Sequence, residues 1–149
     1  MLGSITVCQL AGLLGLAFTD RAADSWYDRL EKPAFNPPDW VFGPAWTLLY
    51  ALIGVALWLI LRHRPSPERT TALALFALQL ALNAAWTPIF FGAQDPTAAL
   101  VEIVVLVFVL AVTVVSVWRV DRRAAWLMLP YLAWVTFATV LNGSVVALN

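Results

Sequence analysis

Long runs of apolar residues, separated by short polar segments, make up most of the chain. The first run fills the N-terminal stretch MLGSITVCQLAGLLGLAFTD, and four more lie at about residues 44–61, 70–91, 97–118 and 124–147. A membrane-spanning helix needs about 20 consecutive apolar residues, so each run is long enough to cross a bilayer. The pattern predicts an all-α membrane protein, a five-transmembrane-helix bundle that forms a single domain over residues 1–149.

The first run also resembles a cleavable signal peptide in its hydrophobicity. It has no basic leading region and no clear small-x-small cleavage site before Asp24, and both features are expected of a signal peptide. We therefore interpret this run as helix 1 of the bundle.

Only the connection between the first two runs is long. It covers residues 21–43 and contains WYDRLEKPAFNPPDW, whereas the later connections are the short segments RHRPSPE, GAQDP and RVDRR. A loop of more than about 15 residues in a compact chain is usually functional or disordered, and its many aromatic side chains argue for order. We predict a structured loop that folds back over the helix ends as a lid.

Composition narrows the possible functions. Hydrophobic residues make up 62% of the chain, charged residues only 12%, and the net charge is zero, which disfavours nucleic acid as a partner. The single His63 lies between two arginines and the single Cys8 lies in an apolar run, so no Ser/His/Asp, Cys/His or paired-Cys arrangement is possible. We expect no metal, no required cofactor and no ordinary catalytic residues.

The distribution of basic residues predicts an orientation. Six of the nine Lys and Arg residues lie in the connections 62–69 and 119–123, three lie in the long loop, and GAQDP has none. The positive-inside rule places the two Arg-rich connections and the N-terminus in the cytoplasm and the long loop on the opposite side.

Helix 3 carries two different faces. At about 100° per residue, Gln79, Asn83 and Trp86 fall on one side, where the amides need partners inside the bundle. Ala77 and Ala81 begin a ridge on the other side that continues to residue 85, and small residues at this spacing let helices approach closely. We predict that the ridge contacts another helix or a second subunit.

Helices 2 and 5 carry matching aromatic and amide positions. These are Trp46 and Tyr50 in helix 2, and Tyr131, Trp134 and Asn142 in helix 5. An aromatic-walled interior with a few amides suits a flat, mostly apolar ligand. Two other readings stay open at this point: plain helix packing for the tryptophans, and helix-to-helix hydrogen bonds for Gln79 and Asn83.

Three segments resemble the signature blocks of the TspO/MBR family, also called tryptophan-rich sensory protein, translocator protein or peripheral-type benzodiazepine receptor. They are WYDRLEKPAFNPPDWVFGPAWTLLY, QLALNAAWTPIFFG and PYLAWVTFATVLN. The resemblance implies a five-helix bundle, often a homodimer, with a pocket beneath the first loop for porphyrins such as protoporphyrin IX and haem, or for isoquinoline and benzodiazepine ligands. The contact positions that it implies are Trp26, Tyr27, Trp40, Trp46, Gln79, Asn83, Trp134, Ala138 and Leu141.

One departure from the family bears on the ligand. Members that bind sterols carry an aromatic and a basic residue near the end of helix 5, where this chain has Gly143 and Ala147 in VLNGSVVALN. This difference disfavours sterols and favours a porphyrin-type ligand in a bacterial cell membrane. Three functions remain open: a receptor or translocator for tetrapyrroles, an enzyme that oxidatively degrades protoporphyrin through buried tryptophans, and a small-solute transporter.

Overall fold

The computed structural model describes residues 1–22 and 26–149, with side chains for residues 1–14 and 26–149. The described residues form five helices and no strand. The helices are α1 (Leu2–Ala22), α2 (Asp39–Arg62), α3 (Pro67–Thr87), α4 (Pro96–Trp118) and α5 (Arg122–Leu148), and a π-helical turn (Pro88–Gly92) follows α3 directly. The predicted all-helical fold with five helices is therefore confirmed, and the predicted ends of the last three apolar runs differ from the observed ones by a few residues.

Four of the helical segments are long and apolar enough to cross a membrane. These are α2, α3 with its π-helical turn, α4 and α5. In α1 side chains are described only as far as Leu14, and the helix is apolar over Leu2–Leu14. Four of the predicted crossings are thus confirmed by length and composition, and the crossing by α1 stays a prediction.

The start of α2 corrects the predicted loop boundary. The loop was expected to end at residue 43 because Gly43 and Pro44 interrupt the apolar pattern, but α2 begins at Asp39. A proline inside a helix removes one backbone hydrogen bond, and Pro44 stands in the second turn, where most of the helix still follows it. Residues 23–25 of the predicted loop lie outside the described residues.

Side chains at the helix ends explain the short connections. The Ser66 hydroxyl accepts the backbone N–H of residue 69 at 3.1 Å, and the carboxylates of Asp95 and Asp121 accept the first N–H groups of α4 and α5. Such N-caps satisfy donors that have no partner inside the helix. Arg69 donates to the carbonyl oxygens of Ile60 and Leu61 at the end of α2, so the Arg-rich connection closes tightly.

The five helices form a closed ring. Going around it, α1 contacts α2, α2 contacts α5, α5 contacts α4, α4 contacts α3, and α3 returns to α1. The α1–α2 contact depends on Gly54, because a Cβ atom there would lie 2.5 Å from the Ile5 Cα. The ring order places one face of every helix toward a common interior.

The described part of the loop, residues 26–38, lies against the ends of other elements. The Trp26 ring meets the Phe90 ring edge-on at 5.7 Å, and the Phe35 ring lies 6.4 Å from that of Phe137. The backbone N–H and C=O of Glu31 pair with the side-chain amide of Asn149, both at 3.0 Å. The loop therefore contacts the π-helical turn and α5, and its action as a lid stays a prediction.

At the Arg-rich end of the bundle, an exposed histidine–aspartate pair links the connection after α2 to the connection before α5. The Nε2 atom of His63, after α2, lies 2.9 Å from a carboxylate oxygen of Asp121, before α5. Desolvation alone would raise the pKa of Asp121, but hydrogen bonds from His63 and from two backbone N–H groups lower this pKa below its ordinary value. His63 thus has a structural partner, and among the described residues no cluster of potential metal ligands includes it.

The predicted orientation can be tested by cysteine labelling. Ala34 in the loop and Arg64 between α2 and α3 are both exposed, and a single span, α2, separates them. We expect a membrane-impermeant maleimide to label Ala34→Cys only from outside intact cells and Arg64→Cys only after the cells are opened. The native Cys8 is fully buried and supplies the unreactive background. Labelling of both positions from the same side would contradict the topology.

Candidate functional site

An internal cavity lies within the ring of helices. Its volume is about 270 Å³, and residues from all five helices, the π-helical turn and the loop line it. Helical periodicity brings the inward faces of α2, α3 and α5 to it. The predicted site residues on its wall are Tyr27, Trp46, Tyr50, Asn83, Trp86, Trp134, Ala138, Leu141 and Asn142.

Aromatic rings form much of the wall in two groups. In the first, the Trp46 ring stacks on Tyr50 at 5.4 Å and meets Trp134 edge-on at 6.3 Å. In the second, the Trp86 ring stacks on Phe90 at 5.0 Å. Stacked and edge-on pairs are the favoured arrangements of aromatic rings, so each group holds its members in place.

Four buried side chains form a continuous hydrogen-bonded series, which we call the polar chain. The Tyr50 hydroxyl donates to Asn83 Oδ1 at 2.6 Å, Asn83 Nδ2 donates to the Tyr131 hydroxyl at 2.5 Å, and that hydroxyl donates to Gln79 Oε1 at 2.9 Å. Gln79 and Tyr131 are completely buried. The polar chain links α2, α3 and α5 and presents Tyr50 and Asn83 to the cavity.

A second amide fixes the other aromatic group. The Trp86 indole N–H donates to Asn142 Oδ1 at 3.2 Å, and Asn142 Nδ2 donates to the Pro96 carbonyl at 2.9 Å. Asn142 therefore ties α3, α5 and the start of α4 together. Because both ends of this amide are engaged, its main role in the structure is to hold Trp86.

Two lining residues, Asn36 and Trp134, each have a buried polar atom without a hydrogen-bond partner among the described residues, Asn36 Oδ1 and Trp134 Nε1. A buried donor without a partner costs about 1–3 kcal/mol, and Trp134 lines the cavity. The indole N–H is thus an unused donor on a residue that lines the cavity.

Tyr27 adds a hydroxyl from the loop. Its ring lies against Phe91 at 5.5 Å, and the Lys32 ammonium lies 4.0 Å from the ring centroid. Burial raises the pKa of Tyr27 above its ordinary value, and the nearby charges of Asp39 and Asp28 add to this effect. The hydroxyl therefore keeps its proton at neutral pH.

Four predicted site residues do not reach the cavity wall. Gln79 and Tyr131 lie behind Asn83 in the polar chain, and Trp26 packs edge-on against Phe90. Trp40 stands in the first turn of α2 with 74% of its surface exposed. The early start of α2 explains this last position, because the first helical turn extends beyond the bundle interior.

Several lining residues were not predicted as site residues. They include Gln9, Gly12 and Leu13 of α1, Phe42 and Thr47 of α2, and Ile103 and Leu106 of α4. At Gly12 a Cβ atom would lie 2.4 Å from the Tyr50 ring, so only glycine leaves room for that ring. The presence of a glycine was the only sequence signal of a close contact at this position. Helical spacing does not show that the contact is with Tyr50.

Glu102 of α4 lies outside the cavity wall. Its two carboxyl oxygens are buried and have no hydrogen-bond partner among the described residues. The neighbouring Ile103 lines the cavity instead, so the acid is not in position to contact a bound molecule there.

The groups on the cavity wall are suited to holding a small molecule. The described residues hold no group of three or more His, Cys, Asp or Glu that would suit a metal ion. The wall offers aromatic faces, aliphatic side chains and a few neutral donors and acceptors. Such a lining orients a flat, mostly apolar molecule through a small number of hydrogen bonds.

Comparison with known proteins gives matches over nearly the whole chain. The profile of the TspO/MBR family matches residues 4–148. The tryptophan-rich protein TspO of Chlorobaculum tepidum is 42% identical over 146 residues, which cover 97% of this chain and 92% of the relative. The protein of the same name from Archaeoglobus fulgidus is 40% identical over 149 residues, which cover 100% of this chain and 96% of the relative. The human translocator protein is 39% identical over 135 residues, which cover 89% of this chain and 80% of the relative.

Proposed function

This chain belongs to the TspO/MBR family, and from that premise we propose that it is a membrane receptor or translocator for tetrapyrroles such as protoporphyrin IX and haem. The four apolar helices and the family make it an integral multi-pass membrane protein. The same cavity would take isoquinoline and benzodiazepine ligands. A bacterial cell membrane is the proposed location.

The observation that carries this proposal is the composition of the cavity wall. Two aromatic groups, centred on Trp46 and Trp86, supply faces for stacking with a flat ring system. The Trp134 indole N–H and the polar chain supply donors and acceptors without a formal charge. A mostly apolar aromatic molecule with a few polar groups matches this wall in both respects.

The volume of the cavity suits a small ligand better than a tetrapyrrole. Sites for small molecules usually measure about 300–1,000 Å³, and about 270 Å³ is close to the lower end. An isoquinoline or a benzodiazepine therefore suits the cavity as it stands. A tetrapyrrole requires the cavity to widen, and the loop that carries Tyr27 and Asn36 on the wall is the element we propose to move.

Titration with protoporphyrin IX tests the proposal. We expect saturable quenching of tryptophan fluorescence in purified protein kept in the dark, because Trp46, Trp86 and Trp134 line the cavity. The Soret band is then followed under light in air. A stable band supports binding and transport, and loss of the band with a new product supports the degrading enzyme. Absence of quenching would contradict tetrapyrrole binding and favour the small-solute transporter.

We also propose a homodimer that uses the alanine ridge of α3. Ala77, Ala81 and Ala85 are all exposed in the single chain, so the described side chains leave this ridge open. Small residues at four-residue spacing let two helices pack closely in a membrane. A second copy of this chain is the occupant we propose for the ridge.

Substitution in the ridge tests the homodimer. We expect Ala81→Leu to shift the purified protein from dimer to monomer in light-scattering measurements in detergent, because the larger side chain separates the two α3 helices. Ligand affinity should change little, since residue 81 lies on the opposite face from Asn83. Ala133→Leu, at an exposed position of α5, is the matched control. An unchanged dimer in Ala81→Leu would exclude the ridge as the interface.

A further inference from the structure

The two ends of the polar chain differ in how many of their hydrogen-bonding groups have a partner. At one end Tyr50 lines the cavity and gives its proton to Asn83. At the other end Gln79 accepts from Tyr131 through Oε1, while its Nε2 atom is buried and has no partner among the described residues. The series therefore ends on an amide group whose N–H donors are unused.

The same four side chains can be hydrogen-bonded in the opposite direction. A hydroxyl both donates and accepts, and the oxygen and nitrogen of a side-chain amide are nearly equal in size. If both amides turn by 180°, Gln79 Nε2 donates to Tyr131, Tyr131 donates to Asn83 Oδ1, and Asn83 Nδ2 donates to Tyr50. The heavy atoms keep their places, and three hydrogen bonds are again made.

The direction decides what Tyr50 offers to the cavity. In the observed direction the Tyr50 proton is used by Asn83, so the hydroxyl can only accept. In the reversed direction the hydroxyl accepts from Asn83, and its own proton is free to point into the cavity that Tyr50 lines. A bound molecule with an acceptor next to Tyr50 would then add a fourth hydrogen bond to the three.

We propose that the polar chain reverses when a guest carrying a carboxylate or carbonyl group binds, and that Tyr50 then donates to this group. This inference rests on the proposed ligand-binding function and assigns Gln79 and Tyr131 as positioning residues. A ligand shifts an equilibrium toward the state that it binds better. With the cavity empty, the observed direction is favoured because all hydroxyl protons in the chain are used.

Gln79 is the residue through which the direction can be changed. In the observed direction its Oε1 atom is the acceptor for the Tyr131 proton. Gln79→Met keeps a similar side-chain volume and removes this acceptor, so the Tyr131 proton has only Asn83 to bond. The variant keeps two hydrogen bonds in either direction, but the reversed direction places the one unbonded proton on Tyr50 at the cavity wall and not on the completely buried Tyr131. We therefore expect the variant to favour the reversed direction, with Tyr50 free to donate before any guest arrives.

The test compares two porphyrins of similar shape. Protoporphyrin IX carries two carboxylates, whereas etioporphyrin has only alkyl groups around its ring. Their dissociation constants are measured with the purified protein in one detergent, and the quantity of interest is the preference for protoporphyrin IX over etioporphyrin. We expect Gln79→Met to raise this preference and Tyr50→Phe to lower it. Each change should be about 2- to 12-fold, the factor that one net hydrogen bond corresponds to.

The double variant distinguishes this role from packing. We expect the effect of Gln79→Met on the preference to disappear in the Tyr50→Phe background, because the phenylalanine has no proton to release. Equal changes in affinity for both porphyrins, or a gain that persists without the Tyr50 hydroxyl, would overturn the reversal and leave tetrapyrrole binding intact. If wild-type protein binds neither porphyrin, the proposed function itself fails, and the reversal fails with it.

Discussion

Replacement of Trp134 by alanine is expected to weaken protoporphyrin IX binding at least several-fold. The Trp134 ring lines the cavity, meets Trp46 edge-on at 6.3 Å, and has a buried N–H without a partner. The variant would lose an aromatic contact, worth about 0.5–1.5 kcal/mol beyond buried area, together with a donor for the guest. Quenching titrations on monodisperse protein, with the remaining tryptophans as reporters, measure the change.

Asn83→Ala tests the same cavity from α3. Asn83 joins the hydroxyls of Tyr50 and Tyr131, so its removal leaves both without their amide partner and takes an amide from the wall. We expect weaker binding of protoporphyrin IX by several-fold, from a hydrogen bond worth about 0.5–1.5 kcal/mol net. We also expect a lower thermal unfolding midpoint, because the variant breaks the polar chain, so affinity is compared only between folded samples.

The double variant and a distant control complete this prediction. Trp134 and Asn83 are joined to each other by no hydrogen bond or ring contact in the structure, so the two losses in binding free energy should add approximately. Trp118→Ala is the control, because Trp118 is 41% exposed and its ring lies against Trp126, away from the cavity. Wild-type affinity in both single variants would show that the guest does not bind in this cavity.

A substitution at Gly54 is expected to have the largest effect on stability. A Cβ atom at this position would lie 2.5 Å from the Ile5 Cα and 3.0 Å from the Ile5 backbone nitrogen. Backbone cannot move aside as a flexible side chain does, so Gly54→Ala must separate α1 from α2. Overpacking of this kind costs about 1–3 kcal/mol, and we expect a clearly lower thermal unfolding midpoint in detergent.

Gly43→Ala is the matched control for Gly54→Ala. Both glycines lie in α2, and a Cβ atom at Gly43 meets no heavy atom within 4 Å. Alanine also has a higher helix propensity than glycine, by about 1 kcal/mol, so Gly43→Ala should leave the midpoint unchanged or raise it. An equal midpoint for the two variants would show that α1 and α2 do not pack closely at Gly54.

Periodicity predicted most of the cavity wall because helices in a membrane bury their polar side chains. Asn83, Trp86 and Tyr50 share inward faces at a spacing near 3.6 residues, and the structure places all three on the wall. Helical spacing shows which side chains face the bundle interior, but it does not show how far each side chain lies from the cavity. Gln79 and Tyr131 face inward as predicted, yet they lie behind Asn83 and support it.

The early start of α2 has a local cause. The loop was predicted to end at Gly43 and the apolar run to begin at Pro44, because glycine and proline both disfavour a helix on average. In the structure α2 starts five residues earlier than the predicted apolar run, and Trp40 is carried outward with its first turn. A proline in the second turn costs only one backbone hydrogen bond, and sequence pattern alone does not show that the helix absorbs this loss.

The sequence by itself determined the class of the protein, its helices and the residue types that face the interior, because a bilayer demands long apolar helices and penalises every polar group without a partner. Only the tertiary structure decided which of these residues meet. The ring order of the helices brings Tyr50 of α2 to Asn83 of α3 and Tyr131 of α5, and it brings Gly12 of α1 against the Tyr50 ring. Such contacts depend on the rotation and separation of neighbouring helices, which are set by packing among all five at once and not by any one helix alone.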